Sequence, residues 1–433
     1  MQQSLLAGAL ALAAGAALAG PVRAQSNQIP GTDVKLGLLQ QLVSMGRSGA
    51  FPNGLNALAM STTSCNVGTV QVPWLAAMAE DHPFISFLIA RDDGTRLRQI
   101  SNRSFVKHGF FALANSQCTP CQGGSPQGLF LGIGCSDTYS TSNNGNNFWL
   151  GPPEEIDSWL GEWEATCSFF DAGLFPNPPF DCDGSRSFNT TQANGLGPVG
   201  NRVQVRDLDL VVAGGDTAAF WYQAHYVIRG EPEANRNNNL GSRAFIPTFD
   251  AGQNQWNFQI GGALLEGSLL QRWPGAQIGS ATNGGDDGRV YVAVKVSGPT
   301  AGLYHYEYAV HNRDSHRGVG ELRIPICPGA QVTGIGTLDP DTDAANDWSA
   351  AVEGSELVFS ANTQPVQWNT IHNFWFDSDA APSAANLSLP LFQPGPGAGA
   401  LTIASSAPLG LFNVVTGPGC GAGGVAPTLF ATG

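Results

Sequence analysis

The chain has 433 residues, among them 55 glycines and 28 prolines, with only 12 % charged side chains and a formal net charge of −14. That balance excludes a nucleic-acid partner, whose phosphates require a basic face, and no segment beyond the N-terminus has the roughly 18 uninterrupted apolar residues of a membrane-spanning helix. The length exceeds one ordinary domain and the turn-forming content suits strands, so the expectation is an all-β protein of two sandwich-like or jelly-roll-like domains.

Residues 1–24 read as a secretory signal. Leu5–Leu18 is apolar and alanine-rich, and Val22-Arg23-Ala24 fits a small-residue cleavage site, although Met1-Gln2-Gln3-Ser4 lacks the usual basic start. A secreted location, periplasmic or extracellular, follows. Residues 25–75 read as loop, with Leu36–Val43 patterned like a short amphipathic helix. Asp92-Asp93-Gly94 between Phe84–Ala90 and Arg96–Ile100 signals a hairpin. Ser104–Leu113 reads as a strand with His108, Phe110 and Ala112 on its inner side. The stretch from Cys118 to Cys182 is rich in glycine and asparagine, and loops of that length are functional or pinned by disulfides. It completes an N-terminal domain over 25–200.

Strand character resumes near Asn201 and sets the expected second domain, 201–395, a succession of short strands from Ala218–Arg229 to Leu387–Phe392. Within it, alternation over Leu303–Asn312 puts His305, Glu307, Ala309 and His311 on one face and Tyr304, Tyr306, Tyr308 and Val310 on the other. Asn312-Arg313-Asp314-Ser315 is turn chemistry, so His311 and His316 are expected to face each other across a hairpin. Residues 396–433 carry no charge and read as a Gly/Ala/Pro-rich tail. All eight cysteines follow the signal, so up to four disulfides are expected. Cys118-Thr-Pro-Cys121 has redox spacing without the βαβ surroundings of a redox site, which favours a structural bridge or pairing to other partners.

The histidines are the strongest chemical lead. His108, His225, His305, His311 and His372 lie in aromatic-rich strand-like runs, while His82 and His316 read as structural and solvent-facing. Imidazole is the commonest ligand of copper, zinc and non-haem iron. A set of His225, His305 and Glu307, with His108 and His311 following, gives a metalloprotein, with a copper-dependent oxidoreductase as its sharpest form. Asp339, Asp341, Asp343 and Asp347 resemble a calcium loop in oxygen spacing, although Ala344 and Ala350 replace its glycine and final glutamate. An exported surface or glycan-binding protein is the opposing expectation, with Trp159 and Trp163 as glycan contacts. A glycan-acting hydrolase or lyase using the carboxylates of Glu154 to Glu164 is the third. Serine-hydrolase elbows, zinc-protease helices and phosphate-cradling glycine motifs are absent from the sequence.

The motifs TTSCNVG (62–68), RSFVKHGFFAL (103–113), GCSDTYS (134–140), HYEYAVHN (305–312) and HNFWFDSD (372–379) resemble a family of secreted bacterial β-rich proteins without an assigned activity. The likeness covers most of the mature chain and implies fold and export alone. Two histidine-bearing sandwiches are also similar in architecture to the two-domain copper monooxygenases, whose paired His-His or His-x-His ligands this sequence lacks.

Overall fold

The computed structural model describes residues 28–172, 182–214, 217–283, 287–395 and 397–412; the expected signal segment, 1–24, and residues 413–433 of the expected tail lie outside them. Strands take 49 % of the chain and helices 8 %, which makes the protein all-β. The main strands form four antiparallel sheets stacked as layers.

The outermost N-terminal layer pairs Val34–Ser48 with Leu55–Asn66, and the latter with Val203–Arg206 and Ser136–Tyr139. Beneath it lies a seven-stranded sheet whose centre is Ala219–Val227 beside Phe84–Asp92. Leu36, Leu39, Leu42, Leu58 and Met60 meet Ile85, Phe87, Ile89, Tyr222 and Tyr226 between these layers. The third layer runs Gln277–Thr282, Arg289–Thr300, Leu303–Asn312, Thr370–Ser378, Val332–Leu338, and the fourth runs Ser349–Glu353, Glu356–Ser360, Glu321–Pro325, Ala380–Pro390, Ala400–Phe412. Tyr306, Tyr308, Val310, Phe374 and Phe376 pack there against Leu322, Ile324, Phe359, Leu387 and Ile403.

Layers two and three also pack on each other. Leu88, Ala90 and Leu97 meet Tyr291, Ala293, Ala309 and Ile371, with Leu269, Leu270 and Trp273 filling the edge. Phe84–Asp92 is therefore buried on both faces, which explains its near-continuous apolar run, Phe-Ile-Ser-Phe-Leu-Ile-Ala. Buried amides stitch the seam: Asn369 Nδ2 donates to the Phe87 carbonyl at 3.2 Å, Asn373 Nδ2 to that of Leu97 at 2.9 Å, and the Ile371 amide to Gln99 Oε1 at 2.9 Å. Each satisfies a polar group that would cost about 1–3 kcal/mol if buried alone.

Four expectations change. The stretch expected as loop holds the paired strands Val34–Ser48 and Leu55–Asn66, and Leu36–Val43 within it is strand, not helix: register shifts between Leu36 and Leu38 and between Leu39 and Leu42 bring leucines spaced by three onto one buried face, imitating a helical period. The strands Val203–Arg206, Ala219–Val227, Leu240–Asp250 and Gln255–Glu266 belong to the N-terminal layers, so the sheets divide after Glu266 and not at 201. The first part of the expected tail, Ala400–Phe412, is an edge strand paired along Ala380–Pro390. Of Ser104–Leu113 only Val106–His108 forms strand.

The disulfides among the described residues are Cys65–Cys118, Cys121–Cys135 and Cys167–Cys182. The two cysteines of the CxxC thus bond to different partners and tie the loop before Ser136 to the outer layer. Cys327 is also disulfide-bonded.

Candidate functional site

The face carrying His305, Glu307, Ala309 and His311 turns toward the N-terminal sandwich, as the alternation predicts, while Tyr306, Tyr308 and Val310 enter the C-terminal core. Its two ends differ. At the outer end His305 places Nδ1 2.7 Å from Asp377 Oδ1 and Nε2 3.3 Å from Glu307 Oε2. Glu307 in turn accepts two bonds from Arg96, Nε to Oε1 at 2.5 Å and Nη2 to Oε2 at 2.8 Å, and the Arg96 guanidinium lies 3.6 Å over the Trp375 ring. The hydrogen bond to Glu307 raises the His305 pKa against the opposing effect of burial, with Asp377 adding to the rise. The carboxylates sit on opposite ring nitrogens, an arrangement that holds a proton rather than converging on one ion.

At the inner end His311 is fully buried with Nδ1 2.7 Å from Ser268 Oγ. His225 comes from the facing sheet. Burial lowers both to about 3, and the neighbouring His225 ring adds to the fall at His311. His225 Nδ1 and His311 Nε2 have no hydrogen-bond partner among the described residues. Beside them Asp314 bonds Arg313 at 3.0 Å and Arg236 at 3.2 Å; burial pushes its carboxyl up, and the two guanidiniums outweigh that and hold it below the carboxylate range.

His305 and His311 are separated by about 20 Å of strand, so the expected set of His225, His305 and Glu307 is not assembled. His108 lies elsewhere again, its Nδ1 2.9 Å from His82 Nε2 inside a cage of Phe84, Trp163 and Phe170. Burial lowers His82 to about 4 and His108 well below its ordinary value. His372 is buried against Trp348. His311 and His316 do not face across a hairpin, because the chain after Asn312 leaves for the fourth layer. No group of three or more His, Cys, Asp or Glu side chains suited to a metal occurs among the described residues.

The aspartate run is a ladder of turns. Asp339 Oδ1 accepts from the Asp341 amide at 3.2 Å, Asp341 Oδ1 from Asp343 at 2.7 Å, and Asp343 Oδ1 from Ala345 at 3.0 Å. Burial, then Asp341 and Asp347, push Asp339 up to about 6. The expected glycan platforms are also turned inward. Trp159 is 5 % exposed, its ring 4.0 Å from the Arg236 guanidinium, and Trp163 is 4 % exposed against the two caged histidines. Both rings are packed into the protein, and of the two Trp163 also borders a site.

That site is a groove at the junction of the sandwiches. A cavity of about 520 Å³ is lined by Arg103, Pro153, Glu154, His316, Arg317, Gln367, Trp368, Phe392 and Gln393, among others. An adjoining hollow of about 410 Å³ is lined by Glu80, Glu155, Asp157, Glu162, Trp163, Glu164 and Arg229, and His316 borders both. The loop Arg313–Gly318 supplies the shared wall. Its anchors are the buried Arg313–Asp314 pair and Asp287, which accepts from the His316 amide at 2.9 Å, the Arg317 amide at 3.2 Å and Ser315 Oγ at 2.9 Å. Exposed His316 and mostly buried Arg317 thereby project into the groove. Arg317 is held by the carbonyls of Gln393 at 2.9 Å and Ala398 at 3.3 Å.

Across from it, Arg103 Nη1 donates to Glu154 Oε1 at 2.6 Å and Gln367 Oε1 at 2.5 Å. Burial lowers the Arg103 pKa to about 10, with Glu154 opposing. Trp368 fixes the wall by donating Nε1 to the Pro153 carbonyl at 3.1 Å. In the acidic hollow, Glu155 accepts from Trp163 Nε1 at 3.2 Å and the Phe169 amide at 2.7 Å, and Asp157 Oδ1 accepts the amides of Trp159 at 3.0 Å and Leu160 at 2.8 Å. These carboxylates hold the loop, and Glu155 is raised by burial.

Sequence reasoning missed Arg103, Arg317, Gln367 and Phe392. One signal was available: with only 20 Lys and Arg in the chain, an arginine two residues before Phe105-Val106 at a strand entrance warranted a partner. Comparison with protein-family models and with curated proteins finds no match.

Proposed function

We propose that the protein is an exported, non-catalytic glycan-binding protein that holds a sugar chain in the junction groove. What carries this reading is the lining of the larger cavity, where flat hydrogen-bonding side chains (Arg103, Gln367, Gln393) stand around Phe392 and three prolines. Sugars offer rows of hydroxyls beside apolar C–H faces, and such a lining meets both. Disulfides in a chain with a signal-like start support export. Phe392 is 38 % exposed, so Phe392→Ala removes contact surface without opening a core. Glycan-array screening followed by calorimetry is expected to find a ligand whose affinity falls about tenfold in that variant, the equivalent of roughly 1.4 kcal/mol. Wild-type protein that retains no glycan, or binding indifferent to Phe392→Ala, ends this reading.

A further inference from the structure

The two halves of the groove have opposite charge. The larger cavity is lined by Arg103, Arg317 and His316 with the single acid Glu154, whereas the hollow beyond His316 is lined by five carboxylates and Arg229, which already pairs with Asp81 and Glu162. We propose that the larger cavity takes the carboxylate of an acidic sugar residue at Arg103, and that Glu154 is the internal carboxylate which such a residue displaces. The inference rests on the glycan-binding reading and adds a ligand class to it.

Arg103 and Glu154 are an unequal pair, with side chains 11 % and 57 % exposed. The arginine is held, its Nη1 shared between Glu154 and Gln367, while its Nε is buried without a hydrogen-bond partner among the described residues. A guanidinium binds a carboxylate best through two parallel N–H bonds, and Glu154 reaches only one nitrogen. The lone contact of a largely exposed glutamate is weak and readily exchanged. Glu154 sits on the short 3-10 turn Pro153–Glu155, whose first carbonyl is fixed by Trp368. Rotation of its side chain alone opens Arg103, with no movement of the wall. Phe392 and Pro365 supply an apolar surface for the sugar ring. The neighbouring acidic hollow repels a second negative residue, so the preferred chain alternates acidic with uncharged sugars.

The test is calorimetry with a tetrasaccharide of alternating glucuronic acid and N-acetylglucosamine, its carboxyl-reduced counterpart, and tetragalacturonate, on wild type and Glu154→Gln. The alternating acid is expected to bind at least about tenfold more tightly than its reduced form, to weaken as salt rises, and to outbind tetragalacturonate. Glu154→Gln, an exposed change that leaves the fold intact by circular dichroism, is expected to raise the preference for the alternating acid over its reduced form two- to fivefold, roughly the worth of one exposed ion pair. Equal binding of acidic and reduced forms overturns the acid recognition while the glycan reading stands. Weaker acid binding in Glu154→Gln overturns the displacement, since Glu154 would then be a ligand contact. If neither form binds and array screening is also blank, both conclusions fall.

Discussion

His305 and His311 share one face of one strand and behave oppositely. His311 lies where layers two and three are closed, is neutral down to about pH 3, and bonds a serine hydroxyl. His305 lies where the same seam opens to solvent, between two carboxylates that raise its proton affinity. Residue type and strand face are equal, so depth in the stack decides whether an imidazole packs or carries charge.

The largest test removes the charge balance at the buried end. Asp314→Asn leaves Arg313 and Arg236 without their shared carboxylate and is expected to cost about 3–5 kcal/mol in urea unfolding. A loss below about 1 kcal/mol would mean that water already reaches the cluster. Next comes acid. The unfolded chain protonates its histidines near pH 6.5, whereas His225 and His311 resist protonation until about 3. The unfolded state therefore binds more protons in that window, and stability falls as pH drops from about 6.5 toward 3. Between pH 6.5 and 4.5 each histidine contributes about 2–3 kcal/mol of that loss, and His225→Gln should flatten the slope. A wild-type stability unchanged between those pH values would refute the neutral buried pair.

The smallest effect belongs to the open end. His305 has its pKa raised, so its contribution is complete below about 6.5 and fades as pH climbs through the folded value. Partial exposure and salt keep it under about 1 kcal/mol. NMR titration of the His305 ring should give a midpoint above the ordinary value that moves down in Asp377→Asn. A midpoint at or below 6.5 would erase the contrast between the two ends.

Local pattern was legible and convergence was not. The alternation over Leu303–Asn312 gave both faces correctly, and the Asp92-Asp93-Gly94 turn gave its hairpin, because strand period and turn chemistry are properties of neighbouring residues. Leu36–Val43 misled because bulges change the period without leaving a mark in composition. The histidine set failed for a different reason: which sheet a strand joins is decided by partners far away in the chain. Arg103 follows the strand Leu97–Gln99 of one sandwich and Arg317 follows Leu303–Asn312 of the other, and only the stacking of layers two and three puts them on one groove.

The strand Phe84–Asp92 serves two cores at once, Ile85, Phe87 and Ile89 on one side and Leu88 and Ala90 on the other. The molecule is in that respect a laminate, and its middle ply cannot be peeled. A truncation after Glu266 would bare Leu88, Ala90 and Leu97, a fragment starting at Gln277 would bare Ala293, Ala309 and Ile371, and each half would carry a sticky apolar plate toward its own copies. Carrying both sandwiches on one chain, so that each plate meets its mate before it meets a stranger, is how such a laminate folds without aggregating.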